Sequence, residues 1–409
     1  MMLSPRRMTV PRTLLRSTAT MTTSAPVTKV TNVANALVPE QEKARPHHVV
    51  KNGRITGFKN PYPSYRPLEP MKHIFIPLLT GKMKFPTVPD PLPIPLVKPT
   101  FLPSRDTPKL RATWLGHAAY YVEFPSGLRV LFDPVFEKSC SPFPLDLFSN
   151  KRITPAPASV ADLPYVDAVV ISHSHYDHLS HPTLLELQKH FPHAHYFVPL
   201  GLEKWFRSSG TTNVTEMDWW EDVNVQITVP QVDDDTSTQK PMTATFSCLP
   251  AQHTSARTPF DRDTTLWASW GVSSGGSSVF FGGDTGYRAV PGHSVDEDDY
   301  SPTHDHIPRN PQFKMIGHHK GPFDLGLIPI GAYSPRASFS PVHANPYDAV
   351  EIFLDTACKR AMGIHWGTWL LTTEPVMEPP ELLRKALARR EVPEEGVFDV
   401  CGLGESREF

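Results

Sequence analysis

Residues 172–179 read Ser-His-Ser-His-Tyr-Asp-His-Leu, so His173, His175, Asp177 and His178 crowd into six positions. Along an extended backbone His173 and His175 project to the same side. A turn over 176–178 swings Asp177 and His178 toward a second nearby point. That arrangement suits two adjacent metal ions better than one. Imidazole and carboxylate donors favour Zn2+, and the same donors also serve Fe or Mn.

Such a turn needs a rigid support. Residues 167–172 (DAVVIS) form an apolar run typical of a strand buried on both faces, and 182–190 then reads as a helix. Upstream, 111–115, 119–124 and 130–132 predict strands of a meander. Downstream, strands are expected near 196–198, 214–217, 223–229, 243–248, 265–271, 278–281, 325–330 and 362–364. Helices are expected near 202–208 and 346–358, the latter opened by Asn345 as N-cap, Pro346 at the first helical position and Asp348 in the first turn. A layered domain of mixed sheets flanked by helices follows. The polar stretches 231–240 and 291–320 read as surface loops.

The 409 residues carry 40 basic and 42 acidic side chains, a net charge of -2. This excludes a general polyanion binder, so no nucleic acid is expected as partner. The charge is uneven: residues 1–100 sum to +11 and the remainder to -13. A basic front end on an acidic body points to an anionic membrane surface or an import receptor, with a solvated basic tail as the plain alternative. The first 39 residues contain Arg6, Arg7, Arg12 and Arg16 and no acid, the composition of a mitochondrial transit peptide. Pro5 and Pro11 oppose a long helix there, so 1–45 is read as a disordered or targeting segment. No window reaches the roughly 20 apolar residues of a membrane span. Four scattered cysteines indicate neither a disulfide framework nor a cysteine zinc site, and fit an intracellular, reducing compartment.

Proline is the compositional outlier, 45 in all. From 46 to 105 it recurs every few residues, which predicts an extended Pro-rich arm ahead of a catalytic domain over 106–409. The arm carries Phe58, Tyr62, Tyr65, Ile74, Phe75 and Ile76 among Lys72, Lys82 and Lys84, a mixture suited to peripheral membrane contact or to packing on the body.

The H-x-H-x-D-H pattern at 173–178 resembles the signature of the metallo-β-lactamase fold superfamily. The surrounding blocks TWLGHAAY, PAQHTSART, FFGGDTGY, VHANPYDAV and IHWGTW, with FKNPYPSY in the arm, are similar to the family of N-acylphosphatidylethanolamine-hydrolysing phospholipases D. The resemblance runs from about residue 111 to the C-terminus and leaves 1–45 outside. It implies an α+β, metallo-β-lactamase-like αβ/βα sandwich of two mixed sheets flanked by helices. It implies a first metal on His173, His175 and His253, a second on Asp177, His178 and His365, and Asp284 bridging both.

By the same resemblance the cofactors are two Zn2+ ions, the substrate a phospholipid, and the assembly a homodimer. The reaction would break the ester to N-acylethanolamine and leave phosphatidic acid. His117 is expected near the site without being a ligand, and Asp133 to orient a ligand imidazole. His343 is expected to position phosphate or move a proton, or else to cap or pack. The histidines at 293, 304, 306, 318 and 319 read as loop residues. Metal ligands alone do not choose the scissile bond, so a lactonase, a soluble phosphate-ester hydrolase and a non-catalytic binding protein stay open.

Overall fold

In the computed structural model, which describes residues 26–33, 37–68, 76–81, 84–141, 151–229, 241–291 and 298–409, apolar side chains alternate along short strands and give one sheet two buried faces. Trp114, Tyr120, Phe132, Val170 and Phe197 join the large central core, while their neighbours Leu115, Tyr121, Leu131, Val169 and Val198 join a second cluster. The second cluster is covered by helices His181–His190 and Glu203–Ser208 through Leu184, Leu187 and Phe206. The first meets another sheet face to face, with Phe197 stacked on Phe246 at 3.9 Å and Phe132 against Phe281 at 4.9 Å between ring centroids.

Among the described residues the first sheet has seven strands, ordered Ser406–Glu408, Arg111–Gly116, Ala119–Glu123, Arg129–Phe132, Ala168–Val170, His195–Pro199 and Val214–Met217. The second has eight, ordered Val27–Asn32, Asp222–Thr228, Met242–Leu249, Ser269–Ser274, Ser277–Phe281, Phe323–Pro329, Cys358–Ile364 and Phe398–Asp399. Both are mixed. In the first, the four strands from Arg129–Phe132 to Val214–Met217 run parallel. In the second, the four from Ser277–Phe281 to Phe398–Asp399 do. Helices Pro346–Asp355 and Glu378–Arg389 add Ala349, Val350, Phe353, Leu383 and Leu387 to the central core. The architecture is the expected α+β sandwich. No helix among the described residues is long and apolar enough to cross a membrane.

Several expectations need correction. The segment 1–45 is not disordered throughout: Val27–Asn32 pairs antiparallel with Asp222–Thr228 as an edge strand, because its β-branched Val and Thr suit a half-buried ladder. Its first 25 residues, and the targeting reading placed on them, lie outside the described residues, as do Lys72, Ile74, Phe75, Lys82 and His293. Phe58 is not displayed, since it is 5% exposed and belongs to the central core. The strand expected at 265–271 begins only at Ser269, because the amides of Leu266 and Ala268 donate instead to the Leu200 and Ser172 carbonyls, both at 2.9 Å. The stretch read as a loop over 291–320 contains helix Gln312–His319, anchored by buried Phe313 and Ile316. The helix expected to reach 358 ends at Asp355, and Cys358 starts the next strand.

The proline-rich residues also touch the body more closely than an arm would. His47 and His48 hold Asp218 through their Nε2 atoms at 2.7 and 2.8 Å, with Arg45 3.5 Å from the same carboxylate. Asn60 donates to the His253 carbonyl at 2.8 Å, and Ser64 donates to Gln252 at 2.6 Å.

Candidate metal centre

Four parallel strands deliver the site at their carboxyl ends, where α/β sheets place ligands. Asp133 follows Arg129–Phe132, residues 172–178 follow Ala168–Val170, Asp284 follows Ser277–Phe281, and His365 follows Cys358–Ile364. His253 follows the antiparallel strand Met242–Leu249. Gly283 lets the two sheets meet here. Its φ of +55° is left-handed, and a Cβ on it would lie 2.5 Å from the Ser172 Cβ. His117, Asp133 and His365 also take positive φ, 53°, 36° and 64°, as residues turning sharply off a strand end.

Two groups of donor atoms result. His173 Nε2 and His175 Nδ1 are 2.8 Å apart, and His253 Nε2 stands 3.2 Å from His175 Nδ1. Asp177 Oδ2 lies 3.4 Å from His178 Nε2 and 3.5 Å from His365 Nε2. The carboxylate of Asp284 sits between the groups. Its Oδ1 is 3.0 Å from His365 Nε2, and its Oδ2 is 3.2, 3.7 and 3.9 Å from the Nε2 atoms of His178, His253 and His173. All seven residues expected from sequence therefore meet in one place, though 192 positions separate His173 from His365.

The other ring nitrogens are held from behind. Asp133 accepts from His178 Nδ1 at 2.6 Å and from both the amide and hydroxyl of Ser172, at 2.7 and 2.5 Å. The His253 Nδ1–H donates to the Val342 carbonyl at 2.9 Å. Such contacts select the tautomer and ring angle of a ligand imidazole. His117 is close as well, its Nε2 3.0 Å from Asp177 Oδ2 and its ring 3.9 Å from that of His365. His343, just before the helix capped by Asn345, lies at the edge with Nδ1 3.9 Å from Asp284 Oδ2. Of the insertion histidines, His304 bonds Ser301 and His318 packs on His319, away from the centre.

Burial dominates the electrostatics. It pushes His173 and His253 well below the ordinary imidazole range, and takes His117 to about 3 and His343 to about 4. Burial would likewise raise Asp177 and Asp284, yet His178 and its neighbours outweigh it and hold both carboxylates well below their usual value. At His365 burial is overcome by Asp284 and Asp177, which lift the ring to about 9. The two carboxylates thus favour positive charge on the atoms around them.

The donor set fits divalent cations. His178 Nε2, His365 Nε2 and Asp284 Oδ1 are buried without a hydrogen-bond partner. They approach to about 3 Å without hydrogen-bond alignment, as ligands facing a common point do. Buried polar atoms left so would each cost roughly 1–3 kcal/mol, which coordination would offset.

Some supporting residues lie in the blocks that carry the resemblance, yet their types alone give no role. Arg257 donates to the Ser174 and Leu179 carbonyls, both at 2.8 Å, and its guanidinium lies 4.0 Å over the Tyr176 ring, clamping the ligand turn from outside. An arginine in a polar turn announces none of this. Asn60 and Gln252, behind His253, are equally silent.

The family model described as a beta-lactamase superfamily domain matches residues 128–366. A Caenorhabditis elegans relative named N-acyl-phosphatidylethanolamine-hydrolyzing phospholipase D 1 is 35% identical over 303 residues, 72% of this chain and 75% of its own length. A Saccharomyces cerevisiae relative, named as the mitochondrial N-acyl-phosphatidylethanolamine-hydrolyzing phospholipase D, is 31% identical over 277 residues, 66% of this chain and 50% of its own. A solved metallo hydrolase from Ignicoccus hospitalis is 17% identical, covers 74% of this chain and 98% of its own, and has a TM-score of 0.45. From the family model and the worm relative, together with a donor set suited to divalent cations, the chain belongs to the N-acyl-phosphatidylethanolamine-hydrolyzing phospholipase D family of the beta-lactamase superfamily and is a metal-dependent hydrolase.

Proposed function

We propose that this chain is a dinuclear zinc phosphodiesterase of the phospholipase D type. Its substrate is N-acylphosphatidylethanolamine, cleaved at a membrane surface to N-acylethanolamine and phosphatidic acid. The observation that carries this reading is the Asp284 carboxylate, within 3.9 Å of ligand imidazoles on both sides. His173, His175 and His253 would hold one cation, Asp177, His178 and His365 the other, and Asp284 both. When bound, the pair supplies a water of lowered pKa and neutralises charge building on the phosphodiester oxygens. Fe or Mn would suit the same donors.

The protein's own groups orient this chemistry. Asp133 fixes the ring of His178, and the Val342 carbonyl fixes that of His253. His117 steadies Asp177. His343 is the part-exposed imidazole at the rim, placed to meet the substrate phosphate or to move a proton to the departing alkoxide, a task Asp177 could share. The names of the worm and yeast relatives support the substrate.

The membrane part of this reading rests on the proline-rich residues. Their exposed apolar side chains include Ile76 and Leu79 of the short helix Ile76–Leu79, the latter 84% exposed, and Phe85 beside Lys84. The arginine-rich start and the name of the yeast relative support import into mitochondria. Product analysis tests the function: the purified protein should release N-acylethanolamine and phosphatidic acid before chelation and neither after it. Hydrolysis of lactones with no action on the phospholipid would overturn the reading.

A further inference from the structure

The most exposed large apolar side chain among the described residues is Phe260, at 96%. It stands on a tight turn whose shape is fixed by its neighbours. Asp261 accepts from the Arg257 and Thr258 amides and from the Thr258 hydroxyl, at 3.1, 2.7 and 2.9 Å. Thr264 donates back to the Asp261 carbonyl at 2.7 Å, and Asp263 N bonds the Ser255 carbonyl at 2.7 Å. An aromatic ring held out into water on a braced turn has no packing role in the isolated chain.

The turn is tied to the metal centre. It begins four residues after His253, and its Arg257 grips the backbone at Ser174 and Leu179 on either side of Asp177. Tyr176 returns a hydrogen bond to the Arg257 carbonyl at 3.2 Å. The same guanidinium lies 5.1 Å over Trp205, next to exposed Lys204. On the other flank Asp263 meets Phe58 N at 2.8 Å, beside exposed Lys59. Arg262 adds a part-exposed guanidinium, 3.5 Å from Asp263. An aromatic tip flanked by Lys59, Lys204 and Arg262 combines a group that enters acyl chains with cations that meet lipid phosphates.

We propose that Phe260 inserts into a phospholipid bilayer and seats the metal centre against it, so that the 257–263 turn adds a membrane contact to that of the proline-rich segment, whose Lys59 flanks it. This rests on the lipid-hydrolase reading only for its purpose. Its test is independent of catalysis: partition of the full chain onto phosphatidylcholine vesicles containing no N-acylated lipid, measured by sedimentation for wild type, Phe260→Asp, Phe260→Ser and Phe260→Trp. The Asp and Ser variants should partition roughly tenfold less, and the Trp variant should match wild type. Turnover of a monomeric short-chain phosphodiester should be the same in all four. Equal partition of Phe260→Ser and wild type, or no wild-type partition, overturns the proposal. Failure to hydrolyse N-acylphosphatidylethanolamine alongside Phe260-dependent partition would overturn the substrate reading alone.

Discussion

Two buried clusters of charged side chains stand a few residues apart in this chain and are built to opposite ends. Around helix Pro346–Asp355, Arg288 and Arg336 alternate with Asp299 and Asp348. Arg288 reaches both carboxylates at 3.1 Å, Arg336 reaches them at 2.8 and 2.7 Å, and Tyr300 donates to Asp348. No buried atom of these five side chains lacks a partner. The metal centre gathers six imidazoles around two carboxylates, counting His117 and leaving His343 at the rim, and there His178, His365 and Asp284 each keep a buried atom unpaired. The first cluster is closed by its own cations and can only hold the fold together. The second has too little positive charge of its own and is suited to cations from solution.

That contrast predicts different responses. Chelation should abolish hydrolysis and also lower thermal stability, because a metal that binds only the folded state stabilises it. Zn2+ should restore both, and activity that survives removal of all transition metal would refute a metal centre. Asp284→Asn should lose several kcal/mol of transition-state stabilisation, about a thousandfold or more in kcat, while circular dichroism stays native. Near-normal turnover would remove Asp284 from its role.

Asp348→Ala should do the reverse, costing about 3–5 kcal/mol of stability by leaving Asp299 as the one carboxylate facing two buried guanidinium groups, with metal content kept. Burial raises the Asp348 carboxyl, but Arg336 and Arg288 more than offset it and hold the group below its usual value. Its contribution is therefore complete above the unfolded value of about 3.9 and fades as pH falls through the folded value. The deficit of the variant in denaturant titrations should shrink below about pH 4, and a deficit unchanged down to pH 2 would contradict the assignment. The smallest effect is expected at Asp133→Asn, which should weaken metal affinity or turnover about 10- to 100-fold through the loosened ring of His178.

Much of the fold was legible because short strands advertise themselves by alternation. Trp114-Leu115 and Tyr120-Tyr121 show it, and Asn345 caps the helix that Pro346 and Asp348 open, as their order predicts. Elements that depend on distant partners were not legible. Val27–Asn32 is a strand only because Asp222–Thr228 offers an edge, and Gln312–His319 is a helix because Phe313 and Ile316 find the core. The clamp of Arg257 over Tyr176 was invisible for the same reason.

Residue types and local spacing sufficed for the chemistry: imidazoles and a carboxylate packed into 173–178 are donors for metal whatever the rest of the chain does. Local order also carried the strand and helix periods, since these depend on which faces of a segment are apolar. Distances across the chain are another matter. Resemblance marked Asp284 and Asp133 for their places, but that Asp284 stands between two histidine groups, that Asp133 holds His178 in particular, and that Phe260 projects beside the centre follow physically from packing one sheet on another, which brings together residues that sequence leaves far apart.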